Sequence, residues 1–440
     1  MSTKLPKVML PLAGVPMVSR VINTAEKLTT KISVVTGYQN EVLESHLRQF
    51  HPNVATFYQD KQLGTAHAVM TAKNDIEKND KVLVLYGDVP LVTENSLKEL
   101  ISLQELNGES MVILTMEPAD PTGYGRVLKD QDGHAMTIIE EKDASEEQKE
   151  IQEVFTGTML VNGKMLLDSI DEINNDNAAG EYYLTDLIKL TYNKGVKIKT
   201  ASVKPEEVLG ANNKFELHEL ERIFRHMNAN DLLEQGVTLV DATRVDLRGS
   251  LESGQDCSID INVILEGTNT IGNNVKIGPN VYLKDVVIGD NTVIEAFSHI
   301  VSTNIGSDCN IGPYARLREG TEIKDQAKIG NFVETKKTTL EQGAKANHLS
   351  YLGDASIGEN SNIGAGTITC NYDGKDKHKT DIGNNSFVGT NSSLVAPVKI
   401  GDDAYVGAGS VITKDVPDGS LGVARGKQTN KEGWSEKKKK

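Results

Sequence analysis

Ten Ile-Gly dipeptides constrain this chain more than any other feature. They begin at Ile271, Ile277, Ile288, Ile305, Ile311, Ile329, Ile357, Ile363, Ile382 and Ile400, all in the C-terminal half. Five of the nine intervals are 6 or 18 residues, and three more (11, 17 and 19) miss a multiple of six by one. Only the interval of 28 between Ile329 and Ile357 falls out of step. Val388-Gly389 and Val406-Gly407 follow Ile382 and Ile400 by six residues and keep the phase. A six-residue period is the signature of a parallel β-helix, in which three hexapeptides make one triangular turn of about eighteen residues. The aliphatic residue points inward and stacks on its equivalents above and below. The next residue, mostly Gly, stands at a corner, where a side chain would crowd the backbone or φ must be positive. One turn cannot bury its apolar face alone, so the coils must stack. Such coils are left-handed, an exception to the right-handed crossover rule.

The chain has 440 residues, enough for a second domain beside the coil. Its net charge of −15 argues against nucleic acid as a partner, while leaving room for a local cationic site for a small anion. No apolar run approaches the roughly 18 residues of a membrane span. MSTKLPKVML lacks a secretory h-region and cleavage site. Cys257, Cys309 and Cys370 are too few and too far apart for a disulfide framework or a zinc site. A cytoplasmic setting is expected. The terminal Lys437-Lys438-Lys439-Lys440 reads as a solvated tail.

The first half alternates strand and helix. Helical segments are expected at Pro16–Lys27, Glu41–Phe50 and from Gly64-Thr65-Ala66-His67 onward, with Thr65 as N-cap. Lys31–Thr36 reads as a buried strand, Val54–Tyr58 as another, and Val82–Tyr86 as a strand buried on both faces of a parallel sheet. The pattern predicts an α/β doubly wound domain over 1–212. Such sheets bind ligands beyond the carboxyl ends of their strands. Gly87-Asp88-Val89-Pro90 lies at one such end, where a carboxylate is placed to hold Mg²⁺. A turn or N-cap aspartate would look the same. Asp120–Arg126 is a glycine-rich loop that could be any tight connection, Glu140–Asp143 a solvated surface, and the aromatics of Gly180–Asp186 core. Asn213 with Glu216 resembles a capping box. Leu217, Leu220, Phe224 and Met227 then form one apolar stripe, and Gly236 ends a linker helix over 213–236. The coil domain occupies 237–440.

Unusual residues cluster around the out-of-step interval, which predicts a segment looped out of the coil. Arg318 and Lys336 are 18 residues apart, one turn, and so stack on one face, where two cations favour a phosphate. His348 shares their hexapeptide phase on a different face, so its partner could be a neighbouring chain's wall. A neutral histidine there can act as general base.

At this point the residues resemble a known family. The ordered matches are Lys4-Leu5-Pro6-Lys7, Gln59, Gln62–Thr65, Tyr86–Pro90, Gly123–Arg126, Gly180–Tyr183 and Asn212-Asn213, then Arg316–Arg318, Gly330–Glu334, His348–Tyr351, Asn371–Gly374 and Gln428–Trp434. Together they span the chain and resemble the bacterial bifunctional N-acetylglucosamine-1-phosphate uridylyltransferase / glucosamine-1-phosphate acetyltransferase family. The resemblance implies an N-terminal pyrophosphorylase-like nucleotidyltransferase domain that joins UTP to N-acetylglucosamine-1-phosphate. There Lys7 holds phosphate, Gln59 with Gly64 and Thr65 reads uracil, and Asp88 and Asn212 hold Mg²⁺. Tyr86, Gly87, Gly125 and Glu140 contact the UDP-sugar, as does position 155. It further implies acetyl transfer from acetyl-CoA to glucosamine-1-phosphate on the coil, supplying the first domain. Arg318 and Lys336 bind the sugar phosphate, Tyr351, Asn362 and Lys377 the sugar. His348 is the base, and Glu334 orients it. Ala365, Asn371, Tyr372, Thr390, Ala408 and Arg425 line the acetyl-CoA channel. The implied assembly is a homotrimer whose neighbouring chains complete each site, and the product is a precursor of peptidoglycan and lipopolysaccharide.

Two departures carry expectations. The family places a strand and a G-x-G-T-R-M loop ahead of its K-x-P-K segment. The chain as written starts at Met1-Ser2-Thr3, which predicts weak or absent uridylyltransferase activity. Phe155 stands where the family has Asn, and an aromatic ring cannot replace its hydrogen bonds. Thr390 stands where the family has Ser and keeps the hydroxyl. Two other readings stay open: an acetyltransferase only, and a non-catalytic trimeric nucleotide-sugar-binding scaffold. His348 beside two cations speaks against the scaffold.

Overall fold

The computed structural model describes residues 5–108, 110–177, 180–435 and 437. Lys4 of the opening motif and Lys438, Lys439 and Lys440 of the basic tail lie outside the described residues. The chain divides into two compact units, Met1–Phe224 and Arg225–Lys440, and the division falls within the helix Lys214–Glu234. Asn213 caps that helix: its Oδ1 accepts from the backbone N–H groups of Phe215 and Glu216, both at 2.9 Å. The returning bond differs from a capping box. The Glu216 carboxylate takes the N–H of Asn212, one residue before the cap. Gly236, at φ 92°, ends the helix in the left-handed conformation that glycine adopts without strain.

The first unit is organised by the strand Met111–Met116, buried along its whole length. Successive side chains of a strand point to opposite faces. Met111 and Ile113 enter one apolar cluster with Leu187 and Ile188, from the helix Asp186–Asn193. Val112, Leu114 and Met116 enter another with Leu100, from the helix Glu94–Asn107. The sheet is therefore covered on both faces, as in an α/β layer. Ile198–Ser202 pairs parallel to this strand and Val154–Asn162 antiparallel. Arg126–Lys129 and Ala135–Ile139 complete the sheet on the far side. Ser33–Thr36 and Ala55–Tyr58 form a separate parallel pair. Both are only partly buried.

Two local expectations are corrected. The apolar run Val82–Tyr86 contributes the strand Lys81–Val84, which pairs antiparallel with Val154–Asn162, its Val82, Leu83 and Val84 partly buried. An apolar run reports burial and leaves strand direction open. Thr65 is the first residue of its helix rather than the cap, a place taken by Gly64 at φ 112°. The Thr65 hydroxyl instead accepts from Leu184 N–H at 3.0 Å.

The second unit is a stack of parallel strands from hexapeptide repeats, a β-helix. Coils in the first part of the stack have three corners held by left-handed residues: Asn274, Asn280 and Asp285, then Asn291, Phe297 and Ser302, then Asp308, Tyr314 and Gly320. One wall is an 11-stranded sheet that includes Lys276–Ile277, Lys328–Asn331 and Lys345–His348. The other two walls share a 13-stranded sheet, whose longer strands, such as Glu334–Leu340 and Tyr351–Ile357, bend at the third corner. Ile277, Ile294, Ile311, Ile329, Ala346 and Ile363 succeed one another inside the first wall, all within one apolar core. Burying such a side chain contributes about 1.5–3 kcal/mol.

The structure separates the two reasons given for glycine after isoleucine. A Cβ at Gly330 would lie 1.9 Å from Asn347 O, and one at Gly364 2.5 Å from Val388 O. Close approach of the next coil excludes a side chain. The positive φ falls two residues later, on Asn274, Asn291 or Asp308. The expected loop between Ile329 and Ile357 is absent. Ile329 pairs with Ala346 and Leu340 with Ile357, so the coils run on unbroken. Ala346 occupies the isoleucine position, which hides the repeat from an Ile-Gly count. The excursion lies at 371–379, between Ile368–Cys370 and Thr380–Ile382.

Candidate active sites

In the first unit, the end of one strand and the start of the linker helix converge. Lys7 Nζ lies 2.5 Å from Asp88 Oδ2 and donates to Asn212 Oδ1 at 2.8 Å. One carboxylate and one amide oxygen thus face a single cationic point. A Cβ on Gly87 would meet Val8 Cγ1 at 3.5 Å, and one on Gly210 would meet Asp88 O at 3.3 Å. Gln59 Nε2 donates to Gly64 O at 3.3 Å and contacts His67 Nδ1 at 2.8 Å. Gly64 and Thr65 are clamped from outside: Tyr182 N–H donates to Leu63 O, and Ala66 N–H to Tyr182 O. A Cβ at Gly64 would meet Tyr182 O at 2.5 Å.

Burial pushes the Tyr86 phenol up to about 12, a hydrogen bond with Thr65 opposing the shift, and Glu140 and Asp88 add to it. Its ring lies where a Cβ on Gly157 would fall. Burial also raises Glu140, while Thr185 Oγ1 donates to its Oε1 at 3.3 Å. Gly125 borders the same carboxylate. Glu140 is therefore part of a shielded pocket wall rather than a solvated surface. Phe155 is 6% exposed, donates its N–H to Gly125 O at 2.9 Å, and packs with Ala66 and Ile138. The structure thus draws Lys7, Asp88 and Asn212 together, and sets Thr65 and Tyr86 within the same field as Glu140.

Sequence reasoning placed Arg126 in the glycine-rich loop but missed its burial and its partner. It is 2% exposed, its Nη2 lies 2.8 Å from Glu141 Oε2, and it donates to Tyr124 O. It holds the glycine-rich loop from beneath. The hint in the sequence is an arginine that closes the Gly123–Arg126 motif and opens the strand Arg126–Lys129.

In the second unit the candidates occupy two adjoining walls. Arg318 N–H donates to Thr335 O at 3.0 Å, so Arg318 and Lys336 are one coil apart, as the 18-residue spacing requires. Each is paired: Arg318 Nη1 with Glu334 Oε1 at 2.9 Å, Lys336 Nζ with Glu319 Oε1 at 3.0 Å. The Lys336 hydrogen bond holds Glu319 below the usual carboxylate range. Glu319 was missed, although it adjoins Arg318 in sequence. Tyr351 follows Glu334 in the next coil.

His348 stands on the other wall, where Asn331 and His348 are register partners. Its Nδ1 lies 3.0 Å from Asn331 Oδ1. Within this chain the Glu334 carboxylate, expected to orient His348, is paired with Arg318 and, at 3.7 Å, with Arg316, and the Nδ1 contact comes from Asn331 instead. Gly366 N–H donates to Leu349 O, which sets Ala365 one coil beyond His348. Asn362 pairs with Lys345 in that wall. Asn391 N–H donates to Ala365 O, Gly409 N–H to Thr390 O, and Arg425 Nη1 to Ala408 O at 2.8 Å. These residues therefore climb one edge in successive coils. Asn371 donates to Asp354 Oδ2 at 2.5 Å, while Tyr372 and Lys377 bridge across the projecting excursion.

Both halves match known families. Residues 1–204 match the nucleotidyl transferase family, and 270–301 and 379–414 match the bacterial transferase hexapeptide (six repeats). The chain is thus a two-part transferase. It is 49% identical over 436 residues to the bifunctional protein GlmU of Pseudoalteromonas atlantica, covering 99% of this chain and 95% of that one. To the GlmU of Thermotoga sp. (strain RQ2) it is 48% identical over 440 residues, covering 100% and 97%. To that of Marinobacter nauticus it is 45% identical over 441, covering 100% and 96%. The chain belongs to the bifunctional GlmU family, with an acetyltransferase and a uridylyltransferase of UDP-N-acetylglucosamine synthesis in one chain. No helix among the described residues is long and apolar enough to cross a membrane.

Proposed function

We propose that acetyl transfer takes place beside His348. The amine of glucosamine-1-phosphate attacks the thioester carbonyl of acetyl-CoA. His348 Nε2 takes the amine proton as the C–N bond forms, and coenzyme A leaves as the thiol. Arg318 and Lys336 hold the sugar phosphate, exchanging Glu334 and Glu319 for a doubly charged oxyanion. Tyr351, Asn362 and Lys377 orient the sugar. Ala365, Asn371, Tyr372, Thr390, Ala408 and Arg425 line the acetyl-CoA channel. The observation that carries this reading is a histidine whose Nδ1 is already engaged, on a wall next to two stacked cations. Because cations and base occupy different walls of one chain, a homotrimer is proposed in which a neighbouring copy completes each site. The expected compartment is the cytoplasm.

In the first unit, Lys7 is proposed to hold phosphate, and Gln59 with Gly64 and Thr65 to read uracil. Tyr86, Gly87, Gly125, Glu140 and the face at Phe155 border the sugar nucleotide. Asp88 and Asn212 fit Mg²⁺, a hard cation that takes oxygen ligands, because both oxygens already converge on the Lys7 ammonium. An ion held by Asp88 and Asn212 would neutralise phosphate charge, leaving Lys7 available to the nucleotide phosphate.

The test is thiol release from acetyl-CoA with glucosamine-1-phosphate, wild type against His348→Ala. A fall of about 10²-fold or more is expected for a lost general base. Equal rates remove the histidine from the mechanism.

A further inference from the structure

Resting on the reading of His348 as the base, we infer that Asn331 is the residue that positions it, by holding Nδ1–H so that the lone pair is at Nε2. The two residues are register partners in adjacent strands of one wall. The backbone locks them further: Leu349 N–H donates to Asn331 O at 3.0 Å, and Phe332 N–H to Tyr314 O at 3.2 Å. Their side chains lie on the same outer face, and Asn331 Oδ1 is 3.0 Å from His348 Nδ1. A carbonyl oxygen can only accept, so Nδ1 carries the proton and Nε2 is the acceptor.

The neutral amide matters as much as its geometry. A carboxylate at this place would favour the imidazolium, which cannot accept a proton. An amide fixes the tautomer without adding charge. The hollow beside His348 is lined by Asn310, Pro313, Lys328, Asn331 and Asn347, with Lys328 its one charged lining side chain besides the histidine itself. Around the corner Glu334 is committed to Arg318 and Arg316. A histidine held at Nδ1 in this way leaves Nε2 as the nitrogen open to a substrate.

The experiment compares Asn331→Ala, Asn331→Asp and His348→Ala in the full chain, by thiol release at varied substrate and pH. Far-UV circular dichroism and thermal unfolding of the same preparations report that each variant is folded. Asn331→Ala is expected to lower kcat by about 10–100-fold, as loss of a partner that orients a functional histidine does, with KM for both substrates unchanged. Asn331→Asp keeps the acceptor. It is expected to recover much of that rate at high pH and to move the acid limb of the kcat/KM profile upward. Wild-type kcat in Asn331→Ala while His348→Ala is inactive overturns the inference and leaves the base in place. A loss in Asn331→Ala with no displaced limb in Asn331→Asp also overturns it, since a merely structural asparagine would give that pattern. An active His348→Ala removes the underlying reading itself.

Discussion

Gly330→Ala is the sharpest test of how the coil serves its site. Gly330 lies beside Asn331, and its missing Cβ would fall 1.9 Å from the backbone oxygen of Asn347, where real contacts do not go below 3.0 Å. That oxygen is on a rigid strand and cannot swing aside. The strands Lys328–Asn331 and Lys345–His348 must therefore part by about an ångström, carrying Asn331 off His348. Overpacking of this kind costs about 1–3 kcal/mol, and a displacement of about 1 Å in a catalytic group can cost about 10²-fold in rate. Gly249→Ala is the control: its Cβ would meet Gly267 O at the same 1.9 Å, in a coil remote in sequence and stacking from His348. Thiol release at saturating substrate and thermal unfolding should be measured on both. The expected result is a similar loss of stability in the two variants and a loss of kcat only in Gly330→Ala. Equal kcat values would refute the link between coil spacing and the base.

Other outcomes follow from the same geometry. Arg126→Met should destabilise the first unit by about 3–5 kcal/mol, because it strands the Glu141 charge; adding Glu141→Leu should restore part of it, as read by thermal unfolding. Asp88→Asn should raise the magnesium concentration needed for uridylyl transfer by at least about tenfold, and an unchanged requirement would remove Asp88 as a ligand. Burial raises Glu140 above its ordinary 4.5, so the folded state binds the extra proton. The stability this confers is full below 4.5 and is lost as pH rises through the folded value. Glu140→Gln should therefore lose less stability than wild type between pH 4 and pH 7, in melts at the two pH values.

The spacing of Ile-Gly determined the coil, because inward stacking and close coil contact leave no other residue pair so well suited. It also set Arg318 above Lys336, since one turn of the prism is one period. The capped linker helix was legible for a similar reason: Asn213, the apolar stripe and Gly236 are local signals. Where the repeat uses Ala346 and Leu340 in place of Ile, the pattern was hidden, and the sequence suggested a loop where the coil is continuous. Strand direction at Lys81–Val84, the burial of Arg126 and the engagement of Glu334 were decided only in three dimensions, because each depends on a partner distant in sequence. Asn331 beside His348 is the clearest case. The two are 17 residues apart, and only coil stacking, which brings residues one turn distant into lateral contact, makes them neighbours.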